Sequence, residues 1–166
     1  MLRMFMAICV GLCTASMLCA DIIHLDGYLD EKALSAVEAA GQADIISFNS
    51  DGGELFTAMK IGRIIRAKKL STTTHGPCAS ACPIAWLGGL NRTAKHPLGF
   101  HSIARSDGLA VPQTDPIYYY LTQYLLIMGA NPTTVIGWIM TTPHETMAWP
   151  NEESLVGAGL LDDPNS

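Results

Sequence analysis

Charge is scarce in this chain, and positive charge is scarcest. Only 15% of its 166 residues are charged, with 10 Lys and Arg against 15 Asp and Glu, for a formal net charge of −5. An acidic chain without a basic patch argues against a nucleic-acid partner. Cysteine is nearly confined to the start: Cys9, Cys13 and Cys19 lie there, and only Cys78 and Cys82 follow. Two cysteines lack the second ligand pair of a structural zinc site, and nearby His75 alone does not supply it. The five histidines share no metal-ligand spacing, so neither a metal nor a cofactor is expected. Repeats, linkers and low-complexity tracts are absent. So is an apolar run long enough to cross a bilayer comfortably, because the longest, Met4 to Leu18, is too short.

That run has another use. Met1-Leu2-Arg3 supplies one positive charge, Met4 to Leu18 is apolar apart from Thr14 and Ser16, and Ala20 precedes the first acid, Asp21. These are the three regions of a secretory signal. Residues 1–20 are therefore expected to be removed, leaving one domain over 21–166 that is exported, periplasmic or secreted, with no stable membrane anchor. Ser16-Met17-Leu18 before Cys19 lacks the small residue that lipoprotein processing requires. Cleavage removes Arg3 and no acids, so Lys and Arg fall from 10 to 9, Asp and Glu stay at 15, and the charge becomes −6. At an oxidising destination Cys78 and Cys82 pair if their Cα atoms lie within about 7 Å; otherwise they remain two buried thiols.

With 49% hydrophobic residues the mature chain can bury a real core. Its pattern alternates. Asp21–Leu25 reads as a strand, Leu29–Ala40 as a helix, and Asp44–Phe48 as a buried strand. Asn49-Ser50-Asp51-Gly52-Gly53 reads as a turn, and Leu55–Lys68 as a helix with near-helical apolar spacing. Leu70–Thr74 is a strand, Ser80–Leu90 a helix, and Leu98–His101 a short strand after a turn at Asn91–Pro97. Ile103–Thr114 carries no period and reads as a loop. Asp115 caps a tyrosine-rich helix to Met128, and short helices follow over Pro132–Met140 and Asn151–Ala158. Repeated strand–helix units imply an α/β domain around a mainly parallel sheet, with sites where strands hand over to helices.

One hand-over is chemically suggestive. In Gly76-Pro77-Cys78-Ala79-Ser80-Ala81-Cys82, small residues flank a single serine between strand and helix, which lets the chain turn sharply and leaves the hydroxyl open. A helix start also favours developing negative charge. Ser80 alone is as readily a helix cap. It becomes a nucleophile only with a base and an oxyanion hole, for which His101 in Gly99-Phe100-His101-Ser102 and the turn Asn49–Gly53 are the candidates. His101 can equally be a core histidine, and Glu145 a solvated loop acid. Tyr118, Tyr119, Tyr120 and Tyr124 suit packing or an interface.

Phe48-Asn49-Ser50-Asp51-Gly52-Gly53, then Gly76 to Cys82, then Gly99-Phe100-His101 resemble, in that order, the Clp protease proteolytic-subunit and crotonase-like superfamily. The resemblance is closest to small exported Clp-protease-like periplasmic proteins and covers about Asp44 to His101, with a weaker continuation through Trp149 to Leu161. It implies a serine peptidase with Ser80 as nucleophile, His101 as general base, and backbone N–H groups of Gly53 and Ala81 as oxyanion donors. It also implies a peptide or protein substrate and a homo-oligomer. Two departures stand out. Asp51 occupies a position usually held by proline, and no aspartate lies near Met147, which leaves Glu145 as the nearest acid. No lysine follows Lys95, which disfavours a Ser–Lys dyad. The chain is thus expected to be a serine hydrolase or, alternatively, an inactive member of the fold that binds a peptide or protein in the same groove.

Overall fold

The structure is a computed structural model, and it describes residues 21–41, 44–105 and 107–162. The expected signal segment, residues 1–20, lies outside the described residues. The elements run β1 (Ile22–Leu29), α1 (Glu31–Ala39), β2 (Ile45–Gly53), α2 (Leu55–Ala67), β3 (Ser71–Ala79) and α3 (Cys82–Trp86). They continue with β4 (Arg92–Thr93), β5 (Leu98–Gly99), α4 (Pro116–Ile127), α5 (Pro132–Thr141) and α6 (Glu152–Gly157). The sheet is parallel throughout: β1, β2 and β3 pair in chain order, and β4 and β5 both pair with β3. This is the α/β architecture that the alternating pattern implies.

One face of the sheet makes the core. Leu25, Phe48 and Thr74 stand in register across β1, β2 and β3, and all are buried, as are Ile46 and Thr72 beside them. Helices α1, α2 and α3 form a layer against this face, with α4 and α5 packed beyond. The buried threonines have partners: Thr72 Oγ1 donates to Trp86 O at 2.9 Å, and Thr74 Oγ1 accepts from His96 N at 2.7 Å. The other face carries His24, Asp26, Ser47, Asn49, Thr73 and His75. His24 and Asp26 there are exposed, and the polar alternation of β1 follows from a sheet with one side in water.

The outer helix is pinned by one hydroxyl. Tyr124 of α4 is fully buried and donates to Ile84 O at 2.6 Å, its ionisation pushed far up by burial. Its oxygen sits where Gly62 of α2 has no side chain; a Cβ there would lie 1.9 Å from it. Two half-buried arginines then tie the helix end to its neighbours. Arg66 donates to Leu87 O and Met128 O, and Arg92 to Met128 O and Gly159 O.

Several boundaries differ from the sequence reading. β1 continues to Leu29, because β2 extends through its glycines and pairs Leu29 with Gly53. The first helix therefore starts later, capped by Asp30, whose carboxylate accepts from Lys32 N and Ala33 N. β3 runs on to Ala79, with a register break between the pairs Phe48–Thr74 and Ser50–Cys78 that accommodates Gly76-Pro77. The helix expected over Ser80–Leu90 is only Cys82–Trp86. It ends where Gly88 presses on α2, a Cβ at Gly88 falling 2.3 Å from Gly62 O. The turn Asn91–Pro97 contains the short strand β4. Asp115 caps α4 as expected, accepting from Ile117 N at 2.9 Å.

Tyr124→Phe leaves a buried Ile84 carbonyl without its donor. It is expected to lower unfolding stability by about 1–2 kcal/mol, read as a shift of the urea midpoint at unchanged slope.

Candidate active site

Ser80 holds the join between β3 and α3 in a left-handed backbone conformation, φ +60°. A non-glycine residue in this region carries strain of about 1–2 kcal/mol, and here three contacts hold it. Ser80 N donates to Gly99 O at 2.9 Å, which anchors the residue to β5. Cys78 and Cys82 are joined by a disulfide, Cα atoms 5.2 Å apart, which closes a staple around the turn. Beneath it, Gly52 has φ +115°, and a Cβ there would fall 2.6 Å from Ser80 Cβ and 3.0 Å from Ala79 O. The glycine pair of the Asn49–Gly53 segment is thus explained: Gly52 lets β2 pass under the serine, and a Cβ on Gly53 would strike Leu29 O at 2.5 Å. Lys69 has a similar φ of +57° as a left-handed helix ending, so the angle alone does not distinguish Ser80. The staple and the glycine floor do.

Ser80 opens into a cleft of about 730 Å³ whose walls include Asp51, Gly53, Ala81, His101 and His144, with Tyr28, Phe56 and Arg105 also lining it. The structure thus brings Ser80, His101, Gly53 and Ala81 to one cavity. Among the described residues the Ala81 N–H donates to no other group, so it is free for a ligand. Ser80 and His101 share the cleft without a hydrogen bond between them, a looseness common in unliganded sites.

His101 is half-buried, and its Nδ1 is enclosed without a hydrogen-bond partner. In a Ser–His–acid triad an acid occupies that side. Glu145, the expected acid, is exposed and does not line the cleft. Its neighbour His144 is there instead, with its ring centroid 4.4 Å from that of His101 and its Nδ1 at 3.2 Å from Ser102 O. A paired hydrogen bond produces this meeting: Phe100 N donates to Ala148 O and Ala148 N to Phe100 O, both at 2.9 Å, and Ser102 N donates to Thr142 O. Trp149 and Met147 close over Gly99, where any side chain would collide with them. Burial, and then the facing His144, push the His101 imidazole below its usual range, with the Ser102 backbone and Glu145 pulling the other way. Such a ring stays neutral, as a proton acceptor must. The role of His144 was hidden in the sequence; its only signal is the Ala148 pairing, which needs the fold.

A second hydrogen-bond chain of Ser–His–Asp type crosses the open sheet face. Ser47 Oγ is 2.8 Å from His75 Nδ1, and His75 Nε2 is 3.0 Å from Asp26 Oδ1. Ser47 is not placed to attack. It is only 2% exposed, and it lies mid-strand between His24 and Thr73 in a parallel ladder.

No protein-family model matches the sequence, and no curated protein does. Solved structures do. The chain is similar to a serine-to-alanine mutant of the 1510-N membrane-bound stomatin-specific protease, with a TM-score of 0.61 and 17% identity over 89% of this chain and 83% of that one. It is similar also to a lysine-to-alanine mutant of that protease in complex with a substrate peptide, with a TM-score of 0.59 and 17% identity over 89% of this chain and 78% of that one. At this identity the likeness shows the fold, which is that of Clp-protease-like proteins.

Two measurements check the site. Alkylation should label neither Cys78 nor Cys82 before reduction and both after it. Replacing both by serine should cost about 2 kcal/mol of stability, the loop-closure entropy of so short a ring. In an NMR titration, His101 should take its proton at lower pH than a free histidine. His144→Ala should move that midpoint up, because it removes a facing like charge and admits water, and both changes favour the imidazolium.

Proposed function

We propose that this chain is a serine hydrolase that cleaves peptides, with Ser80 as nucleophile, His101 as general base, and the N–H groups of Gly53 and Ala81 as oxyanion donors. The single observation that supports it most is the left-handed, disulfide-stapled backbone at Ser80, which presents a serine hydroxyl at the mouth of a cleft. The fold shared with a protease, one structure of which carries a substrate peptide, adds support. In the reaction Ser80 Oγ attacks the scissile carbonyl as its proton passes to the His101 imidazole, and the carbonyl oxygen becomes an oxyanion. His101 then protonates the leaving amine, and water repeats the sequence on the acyl-enzyme. His144 takes the place beside His101 that Glu145 was expected to fill, so the working unit is a Ser80–His101 pair whose base is kept neutral by burial and by a second imidazole. Among the described residues no lysine lines the cleft, which suits a histidine base.

Export to the periplasm or exterior, after loss of residues 1–20, fits the disulfide. Among the described residues no helix is long and apolar enough to cross a membrane. Homo-oligomerisation fits the exposed apolar side chains Tyr119, Tyr120, Leu126 and Ile127 of α4, with the exposed Phe56 of α2 beside Tyr120. One observation favours a second reading, a peptide-binding module without turnover: Asp51 puts a carboxylate in the wall of the cleft beside the proposed oxyanion donors.

A fluorophosphonate probe should add its mass to the peptide that contains Ser80 in the wild type and not in Ser80→Ala. His101→Ala should slow peptide hydrolysis by about 10²–10⁴-fold, with Glu145→Gln much milder. Peptide binding without labelling or turnover in the wild type would establish the binding module instead.

A further inference from the structure

The polar network on the open sheet face brings two imidazole rings together. His24 of β1 and His75 of β3 lie on either side of Ser47, and their Nδ1 atoms face each other at 3.4 Å with the rings nearly perpendicular, 88°. Two nitrogens bound to one tetrahedral zinc at about 2.0–2.1 Å would stand about 3.3–3.4 Å apart. The remaining nitrogen of His75 is already engaged. Nε2 lies 3.0 Å from Asp26 Oδ1, and that same oxygen accepts from Asn49 Nδ2 at 3.1 Å. An ionised carboxylate can only accept, so Nε2 keeps its proton and donates it to Asp26, and His75 Nδ1 carries the lone pair, directed at His24 and the Ser47 hydroxyl. A carboxylate behind the distal nitrogen of an imidazole is the usual outer support of a metal-binding histidine, since it fixes the tautomer and raises ligand basicity. Asn49 is itself fixed, because its amide lies over Gly76, where a Cβ would fall 2.0 Å from Asn49 Oδ1.

We infer that His24 and His75 form a binding site for a borderline divalent metal ion, of which Zn²⁺ is the representative, with Asp26 and Asn49 orienting His75 from behind. Imidazole nitrogen is a ligand that such ions accept readily. Coordination requires only that the exposed His24 carry its proton on Nε2 and that the Ser47 hydroxyl rotate away from His75 Nδ1, so the backbone need not move. Among the described residues no group of three or more His, Cys, Asp or Glu side chains is placed to hold a metal ion together. The protein therefore supplies two ligands, and water completes the shell on the open side. The ion links β1 to β3 across β2 and acts as a staple between strands. The site does not depend on the Ser80 chemistry, which occupies another part of the molecule.

The test uses the untagged chain, titrated with Zn²⁺ by calorimetry in a non-chelating buffer, and with Co²⁺ by visible absorption. One ion per chain is expected, with a raised thermal midpoint as binding to the folded state requires. His24→Ala and His75→Ala should each weaken binding at least tenfold, and Asp26→Asn by about 10–100-fold. His24 is exposed, so its loss should leave the circular dichroism unchanged. His144→Ala controls for the other histidine pair and should leave the affinity as it was. The inference is overturned if wild type and His24→Ala bind Zn²⁺ equally, if His144→Ala is the variant that abolishes binding, or if Zn²⁺ does not bind at all.

Discussion

The left-handed backbone at Ser80 is the constraint around which this end of the molecule is arranged. An L-residue enters that region only when its surroundings leave it no cheaper choice. Here the disulfide fixes the chain on both sides of the residue, Gly99 accepts its N–H, and Gly52 of β2 leaves out the side chain that would block it. Each device comes from a different element, so the serine is held by the sheet rather than by a loop. The register break between β2 and β3 has the same origin. β3 must carry more residues than its neighbour to lift Gly76-Pro77 away and still bring Cys78 opposite Ser50.

Burial then gives the site its chemical character. His101 reaches the cleft at the end of β5, and its ring is stripped of water by the segment that the Phe100–Ala148 pairing draws across it. The same pairing delivers His144 rather than Glu145. Since the two residues are adjacent, they point in different directions, and only one can face the cleft. A carboxylate at that position would favour the imidazolium, whereas a second imidazole disfavours it. The arrangement therefore keeps the ring in its neutral form, ready to accept a proton but a weaker base than an imidazole backed by a carboxylate.

What could be read from the sequence follows from what each signal depends on. The strand–helix alternation, the Asp115 cap and the apolar stripe of α2 are local, and they appear in the structure where expected. The sharp turn at Ser80 between strand and helix was also legible from its small neighbours, although these fit a helix cap as well; the segment Asn49–Gly53, read as a turn, is the end of β2. The limits of β1 and β3 were not, since both strands extend only as far as their neighbours pair with them. Nor were the partners of the histidines. His24, His75 and Asp26 are ordinary in sequence and meet only through parallel register, with His24 beside Ser47 and Asp26 beside Asn49. His144 meets His101 through one antiparallel bridge between segments far apart in the chain.

The two serines of this sheet separate hydrogen bonding from reactivity. Ser47 has the better chain, with an imidazole at 2.8 Å and a carboxylate beyond it, yet it lies flat in the middle strand with its hydroxyl covered. Ser80 has no hydrogen bond to His101, the proposed base, but it stands where a strand breaks off, above a glycine, with the unused Ala81 N–H beside it. A nucleophile must approach a carbonyl and share its developing charge with nearby donors. A mid-strand residue has its neighbouring amides committed to the ladder, so it lacks those donors however well its imidazole is aligned. Backbone position thus sets Ser47 aside as a nucleophile, and the well-aligned His75 is left with a lone pair and a supporting carboxylate.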